Sequence, residues 1–363
     1  MILPRTDIKK IGIVRANGLG DFVFALPAIK ALRETFVHAE IVYIGKPWHD
    51  AFLSHRKELV DRVTVIPEPG IKIGIEPYCN SIYAKEFFIQ QQEEAFDLVF
   101  QMHGGGQQSN PFVKLMKPRL SVGLTSPDAM PLDINVPYYL YQHEVLRYLE
   151  LVAAVGALAN SYEPTLKLYD RDVEELKQAG IIKVPYIVLH AGASERRRRW
   201  GVQKFKEVAR YFLDQGFYIY LSGSGDEKEI TGQLADISET HVKDLAGKLS
   251  LNGLAALLSG AVMMVSNDTG PLHLARALGT ATVGIYWVGN LITAGPVKMG
   301  LHKVCISWRN TCPLCQKDFT KEDVSQRKDC THDTSLVDDI TVEELLENVQ
   351  LLLNSVLLRQ KQL

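Results

Sequence analysis

Short runs of β-branched and aliphatic residues alternate with amphipathic helical stretches along most of this chain. The alternation is typical of α/β proteins, in which helices connect the strands of a parallel sheet. The predicted strands are residues 10–15, 41–44, 62–66, 97–101, 186–189, 217–221, 261–265 and 281–285. The predicted helices run through residues 27–36, 202–215, 227–237, 251–258, 271–278 and 342–358. The pattern therefore predicts an α/β fold with parallel sheets.

Two such series of strands and helices follow one another, separated by a looser stretch at residues 162–184. A length of 363 residues suits two domains of ordinary size. We therefore expect two Rossmann-like halves, residues 1–165 and residues 166–363. Leucines and valines recur at helical spacing in residues 342–358, and we expect this last helix to pack on the body of the protein.

Composition excludes several classes of protein. Lys and Arg number 40 against 42 Asp and Glu, a net charge of −2, so no overall basic field is available to hold nucleic acid. Charged and proline residues interrupt the first ten positions, which argues against a signal peptide. The most apolar stretch, residues 253–265, is too short to span a bilayer. We expect a cytoplasmic protein without a transmembrane segment.

The first of three loops that carry chemistry is RANGLGD, residues 15–21, between a strand and a helix. Gly18 and Gly20 permit a tight turn and a close approach to the backbone. Asp21 then lies near the helix N-terminus, either as a simple cap or as a functional carboxylate. The loop is not a dinucleotide fingerprint, because Val23 stands at the third glycine position.

The second loop, HAGASERRRRW at residues 190–200, follows a strand of the second half. A run of four arginines is usually a solvated surface feature, but open α/β sheets bind ligands at the carboxyl ends of their strands. A ligand that bears phosphate is therefore the better explanation for at least one arginine. The third loop, SNDTGPLH at residues 266–273, joins a strand to a helix whose first N–H groups would form an anion site.

Taken together, these segments resemble glycosyltransferase family 9, the bacterial ADP-heptose heptosyltransferases. The matching stretches are IVRANGLGDFVFALPAIKALR, HAGASERRRRW and SNDTGPLHLARALG, in the family's order, and the resemblance spans about residues 8–350. It implies a GT-B architecture, in which two Rossmann-like domains face each other across a cleft. The N-terminal half would bind the acceptor and the C-terminal half the nucleotide sugar.

The same resemblance implies inverting, metal-independent transfer of heptose from ADP-heptose, with Asp21 as general base. Arg198 stands where the family has a phosphate-binding lysine. The implied donor-binding residues are Ser194, Arg198, Glu229, Leu249, Asp268, Thr269, Gly270 and His273. The implied acceptor-side residues are Arg15, Asn17, Gly18, His103 and Gln107.

Lipopolysaccharide core is the acceptor that the family implies, reached by peripheral contact at the inner face of the inner membrane. However, residues 103–110, HGGGQQSN, contain no Lys or Arg for gripping a highly phosphorylated acceptor. Arg15, His103 and Gln107 would instead suit a neutral or mildly acidic glycan or glycolipid acceptor, which stays an alternative to the lipopolysaccharide core that the family implies. The sequence leaves the oligomeric state open.

Four of the five cysteines fall between Cys305 and Cys330, which does not suit a secreted disulfide framework. Cys312 and Cys315 form a C-x2-C pair, followed after fourteen residues by Cys330 and His332. Three thiols and an imidazole suit a structural zinc or iron site, and a metal-free loop is the alternative. The C-x2-C start resembles the iron-binding loop of some protein-directed heptosyltransferases, so transfer to a protein is an alternative function.

Functions outside this family also fit parts of the pattern. Two Rossmann-like halves suit a dinucleotide-dependent oxidoreductase, although the missing glycine fingerprint counts against one. A catalytically silent sugar-nucleotide-binding protein would keep the donor site without needing Asp21. The fold does not fix the base of the nucleotide, so a GDP- or UDP-linked donor also stays open.

Overall fold

The computed structural model describes residues 5–67, 73, 82–181, 184–320 and 330–360. The chain divides into two compact units, Met1–Pro164 and Thr165–Leu363, close to the boundary expected at residue 165. The middle of the cysteine-containing loop, residues 321–329, lies outside the described residues.

The first unit contains a six-stranded sheet in the order β3-β2-β1-β4-β5-β6, with every pairing parallel. The strands are β1 Lys10–Val14, β2 Glu40–Gly45, β3 Arg62–Val65, β4 Leu98–Gln101, β5 Leu120–Thr125 and β6 Ile134–Pro137. The helices are α1 Leu19–Thr35, α2 Pro47–Leu53, α3 Ile82–Glu93, α4 Ser109–Leu115 and α5 Glu144–Ala153.

The second unit repeats this plan with the order β12-β11-β10-β7-β8-β9, again parallel throughout. The strands are β7 Tyr186–His190, β8 Tyr218–Leu221, β9 Val242–Asp244, β10 Met263–Asn267, β11 Thr282–Trp287 and β12 His302–Ser307. The helices are α6 Asp170–Gln178, α7 Val202–Asp214, α8 Lys228–Ala235, α9 Leu251–Gly260, α10 Gly270–Ala277, α11 Val288–Ala294 and α12 Val342–Gln360.

Central strands of both sheets are mostly apolar and, apart from Lys10 at the start of β1, buried, as expected for a parallel sheet covered by helices. The direction of strand order reverses between β1 and β4 in the first unit and between β7 and β10 in the second. Open α/β sheets bind ligands at such switch points, beyond the carboxyl ends of the strands. The three loops identified from sequence follow β1, β7 and β10, so each lies at a switch point.

Helix α1 begins at Leu19, well before Pro27, which the helix accommodates in its interior. This start places Asp21 in the first turn of α1. At the other end of the chain, α12 packs against β11, β12 and α7, with Leu345, Val349 and Leu352 buried in the core of the second unit. The expectation that the last helix packs on the body is confirmed.

Among the helices of the described ranges, none combines the length and the apolar composition needed to cross a membrane.

Candidate functional site

Asp21 is held in place and still reaches solvent. Its carboxylate accepts a hydrogen bond from the Gly18 N–H (3.0 Å, to Oδ2), which closes the first turn of α1. The other oxygen, Oδ1, lies 3.2 Å from Nη2 of Arg15, and 40% of the side chain remains exposed. Asp21 therefore does cap its helix, as the simpler interpretation expects, but it also presents a fixed carboxylate at the switch point of the first sheet.

Arg15 is the support behind Asp21. The side chain is 1% exposed, its Nε donates to the Asp21 carbonyl (2.7 Å), and its Nη1 donates to the Tyr148 hydroxyl (2.5 Å) and the Met102 carbonyl. Burial works against the charge, but Tyr148, Asp21 and Glu144 outweigh it and raise the pKa of Arg15. The guanidinium of Arg15, expected on the acceptor side, is thus buried and bonded to groups of its own unit, and its role toward an acceptor stays a prediction.

His103 comes to the same place from the loop after β4. Its Nδ1 accepts a hydrogen bond from the Ala16 N–H (3.3 Å). Burial, together with the positive charge of Arg15, lowers the pKa of His103 to about 4, so the ring is neutral at pH 7. Gln107 and Gly18 are exposed, and Asn17 is half-buried beside the Asp21 turn.

Lys46 is a cation near this group that the sequence analysis missed. It follows β2, and its charge contributes to the low pKa of His103. The next turn fixes it, because the Lys46 N–H donates to Nδ1 of His49 (3.0 Å), a ring stacked on Trp48. Its position directly after a strand was the signal that could have identified it.

In the second unit, Arg198 and Asp268 form the centre of the expected donor site. Arg198 closes a short 3-10 turn, Arg196–Arg198, and its Nη2 donates to Oγ of Ser194 (3.1 Å). Its Nη1 donates to the Asp268 carbonyl (3.3 Å) and lies 3.5 Å from the Asp268 carboxylate. The Arg198 side chain is 26% exposed, so its guanidinium is both anchored and open to a ligand.

Asp268 itself is buried at the end of β10. Nδ2 of Asn290 donates to its Oδ2 (2.5 Å), and Nε2 of His273 lies 3.1 Å from its Oδ1. Burial alone would raise the pKa of Asp268, but His273, Arg198 and Asn290 together hold it below its usual value. Burial lowers the pKa of His273. The cluster is thus an ionised carboxylate between a neutral imidazole and a guanidinium.

The loops after β7 and β10 are tied to one another by Asn267, which is fully buried. Its Oδ1 accepts a hydrogen bond from the Trp200 N–H (3.1 Å), and its Nδ2 donates to the Ala191 carbonyl (2.8 Å). Helix α10 begins directly after Thr269, with Pro271 in its first turn. The N-terminal end of α10 and the guanidinium of Arg198 therefore lie at the same end of the second sheet, as an anion site requires.

The loop after β8 brings a carboxylate to this region, but from Glu227 rather than Glu229. Glu227 accepts a hydrogen bond from the Ser224 N–H (2.7 Å), and a Cβ built on Gly192 would lie 1.9 Å from its Oε1. Glycine at 192 is therefore what allows Glu227 to approach the loop after β7. Glu229 is exposed on α8, and Leu249 is half-buried between β9 and α9.

The expected metal ligands Cys312, Cys315, Cys330 and His332 do come together. Their ligand atoms all lie within 4.8 Å of one another, and the Sγ atoms of Cys315 and Cys330 are 3.5 Å apart. Thiolates bound 2.3 Å from a tetrahedral zinc are about 3.8 Å apart, so the donor set fits such an ion. Burial opposes ionisation of Cys312, but N–H groups of Cys315 and Leu314 lower its pKa to about 6, which favours a thiolate ligand.

The model of glycosyltransferase family 9 (heptosyltransferase) matches residues 87–327 of this chain, well over half of its length. The chain belongs to glycosyltransferase family 9. Lipooligosaccharide heptosyltransferase 2 of Campylobacter jejuni is 25% identical over 334 residues, which is 87% of this chain and 96% of the relative. Lipopolysaccharide heptosyltransferase 1 of Pseudomonas aeruginosa is 33% identical over 146 residues, 40% of each chain.

Solved structures agree on the fold of this family 9 member. A glycosyltransferase family 9 structure from Veillonella parvula superposes with a TM-score of 0.78 at 18% identity, covering 98% of this chain and 99% of the other. The ADP-heptose lipopolysaccharide heptosyltransferase II of Escherichia coli gives 0.73 at 19%, covering 96% and 99%. The iron-containing dodecameric glycosyltransferase TibC of E. coli gives 0.55 at 12%, covering 96% and 77%.

These matches confirm the predicted family and its fold of two Rossmann-like units. They also establish the chain as a glycosyltransferase and decide against the dinucleotide-dependent oxidoreductase.

Proposed function

We propose that this glycosyltransferase moves a heptose from ADP-heptose to a sugar hydroxyl of a lipopolysaccharide or lipooligosaccharide core, with inversion and with Asp21 as general base. The observation that carries the proposal is the carboxylate of Asp21, fixed by Arg15 and the Gly18 N–H yet 40% exposed at a switch point. A base must be both immobile and within reach of the hydroxyl it serves.

Donor binding is assigned to the second unit. Arg198, Ser194 and the N-terminal end of α10 at Thr269 and Gly270 would hold the diphosphate, because they combine a guanidinium, a hydroxyl and helix N–H groups at one place. Asp268 and His273 are assigned to the same site behind Arg198, because the buried Asp268 carboxylate lies 3.5 Å from Nη1 of Arg198 and 3.1 Å from Nε2 of His273. Leu249 would contact the base. Glu227, which reaches the loop after β7, is assigned to the ribose hydroxyls in place of Glu229, the glutamate that the resemblance implied for donor binding.

The reaction is a single displacement. Asp21 takes the proton from the acceptor hydroxyl, the oxygen forms a bond to the anomeric carbon, and the bond from that carbon to the diphosphate oxygen breaks on the opposite face. Negative charge then accumulates on the departing ADP, where Arg198 and the positive end of α10 stabilise it. Positive charge from the protein serves this step, so the proposed chemistry calls for no catalytic metal.

The acceptor is assigned to the first unit, around Asn17, His103 and Gln107. His103 is neutral at pH 7, and Lys46 supplies a cation nearby. This modest positive charge suits an acceptor with few phosphates, consistent with the absence of Lys and Arg in residues 103–110. The expected location is cytoplasmic, at the inner face of the inner membrane.

A structural zinc or iron ion is assigned to Cys312, Cys315, Cys330 and His332, whose geometry fits a tetrahedral ion. When bound, it would cross-link the segment on either side of residues 321–329. The fold match to TibC, whose structure is described as iron-containing, is consistent with the assignment. A protein acceptor stays the second candidate because of the C-x2-C pair, Cys312 and Cys315.

The experiment is an assay of the purified protein with ADP-heptose, GDP-mannose and UDP-glucose, each with heptose-deficient lipopolysaccharide core or a cell-envelope protein fraction. The proposal predicts nucleotide release and addition of one heptose only with ADP-heptose and the core glycan. Transfer to protein alone would favour the second candidate. Tight ADP binding without transfer to any acceptor would indicate the catalytically silent protein.

A further inference from the structure

A pocket in the second unit opens beside the cluster of Arg198 and Asp268. Its walls come from three segments, namely the loop after β7 (Arg197 and Arg198), the junction of β11 and α11 (Trp287 and Asn290), and the cysteine-containing segment (Phe319 and Leu336). Arg198 and Asn290 both contact the Asp268 carboxylate, so this pocket is continuous with the proposed donor site. Part of the donor site is thus built from the segment that carries the cysteines.

Arg197 connects the two regions. Its guanidinium donates from Nη2 to the carbonyl of Cys330 (2.6 Å) and from Nε to the carbonyl of His332 (3.1 Å). The same guanidinium lies 4.9 Å from the ring centroid of Phe319. Two of its partners are therefore main-chain groups of residues in the Cys/His cluster, and the third is a wall of the pocket.

The backbone of Arg197 completes the connection. Its carbonyl accepts a hydrogen bond from the Leu336 N–H (2.8 Å), so side chain and main chain both bind the cysteine-containing segment. The next residue, Arg198, donates to Ser194 and to the Asp268 carbonyl. Arg197 therefore links residues 330–332 to the adjacent residue, Arg198, whose guanidinium is assigned to the diphosphate.

The neighbouring Arg196 makes a much weaker link. It lies 3.9 Å from Asp333, and both side chains are about two-thirds exposed, at 69% and 67%. Exposed pairs of this kind contribute little to stability. Arg196 thus offers a matched control, since it has the same charge and lies beside Arg197 but contacts neither the pocket nor the cluster carbonyls.

We propose that Arg197 is a positioning residue that makes donor binding depend on the Cys/His cluster, because it fixes the donor-site loop to the carbonyls of Cys330 and His332. This inference rests on the proposed function. When a metal holds the cluster together, the carbonyls of Cys330 and His332 are fixed in place. These carbonyls then hold Arg197, and Arg197 holds the adjacent Arg198 in the orientation that binds the diphosphate.

The test is a cycle of ADP affinities measured by calorimetry on the full chain. Three proteins are compared, namely wild type, Arg197→Met and Arg196→Met. Each is measured as purified, after metal removal by a chelator, and after reloading with Zn²⁺ or Fe²⁺. The metal content of each sample is measured by mass spectrometry. We expect removal to weaken ADP binding about tenfold in wild type and in R196M, with recovery on reloading. Loaded R197M should already bind ADP about tenfold more weakly, retain its metal, and lose less than about twofold on removal.

Several outcomes would overturn the proposal. Equal losses on metal removal in wild type and R197M would show that the effect bypasses Arg197. A wild-type protein that carries no metal would show that ADP binding does not depend on a metal-loaded cluster. A wild-type ADP affinity that is unchanged after metal removal would show the same. Wild type that does not bind ADP at all would overturn the proposed function and this inference with it, whereas normal ADP binding without the coupling overturns the inference alone.

Folding is followed by circular dichroism throughout. If the protein unfolds when its metal is removed, the test is the ADP affinity of metal-loaded R197M compared with that of metal-loaded R196M. Equal ADP affinities in these two variants contradict the proposal. If R197M itself does not fold, Arg197→Lys replaces it, with an expected loss of about threefold, because a lysine keeps the charge but not both hydrogen bonds.

Discussion

Nη2 of the buried Arg15 lies 3.2 Å from the Asp21 carboxylate, so a cation closed off from solvent supports an acid that is 40% exposed. The same guanidinium also donates to Tyr148 on α5, whose hydroxyl in turn donates to Glu144 (2.6 Å). Asp21 is thereby connected to a helix far along the chain. A general base gains from such support because small displacements from the reacting hydroxyl cost rate.

Replacing Arg15 by Met should lower kcat about 10- to 100-fold while leaving ADP affinity unchanged, because Asp21 loses its support and the proposed donor site lies in the other unit. Arg15→Lys should recover part of the loss by retaining the charge. Steady-state kinetics and calorimetry measure the two quantities. Arg33→Met, which breaks the partly buried pair with Asp61 at the other end of α1, is the control and should keep kcat near wild type.

Gly192→Ala should weaken ADP binding about three- to tenfold with little loss of stability. The new Cβ would meet the carboxylate of Glu227, the mobile end of a flexible side chain, which can move aside but then leaves the donor site. Gly232→Ala in α8, with nothing within 4 Å, should not change the affinity. If Glu227→Gln leaves ADP binding at the wild-type level, the ribose assignment of Glu227 is wrong.

The protein should lose stability as the pH falls from about 6.5 to 4. Burial lowers the pKa of His49 to about 3 and that of His103 to about 4 in the folded protein. As the pH falls, the unfolded chain therefore takes up protons on these rings at a higher pH than the folded protein does, which favours unfolding. His49 alone should account for on the order of 2–3 kcal/mol across this window. Urea unfolding at several pH values measures how steeply the free energy of unfolding changes with pH. His49→Asn should reduce this slope by the amount that corresponds to the uptake of about one proton on unfolding. An unchanged slope in that variant would contradict the buried neutral ring.

Purified protein should carry one zinc or iron ion per chain, and Cys312→Ser should lose it with a fall in Tm of several degrees. Cys305→Ser is the control, because Cys305 lies in β12 outside the cluster and burial raises the pKa of its thiol to about 12. Metal analysis and thermal melting measure both effects. Retention of the metal by C312S would remove Cys312 from the ligand set.

The sequence predicted the central strands and the three loops because full burial leaves an unmistakable apolar run before each loop. It did not predict β5, β6, β9 or β12. β6 and β9 lie at sheet edges, are four and three residues long and are partly exposed, so they leave little apolar pattern. β5 contains Ser121 and Gly123, and β12 is only half-buried, which weakens the signal of each.

Some of the site residues could likewise be predicted from the sequence, and others could not. Motif positions such as Asp21 and Asp268 could be identified from sequence because their place after a strand fixes where they lie. The role of Arg15 could not, because it depends on Tyr148, 133 residues away in the chain. The choice between Glu227 and Glu229 depends on where the turn Gly225–Glu227 ends, which no local pattern specifies.

The most direct measurement compares transfer and donor binding in Asp21→Asn. A base on the first unit and a donor site on the second predict that D21N binds ADP with wild-type affinity while heptose transfer falls by roughly 10²- to 10⁴-fold. Transfer near the wild-type rate would contradict the role of Asp21, and loss of ADP affinity together with transfer would contradict the division of labour between the two units.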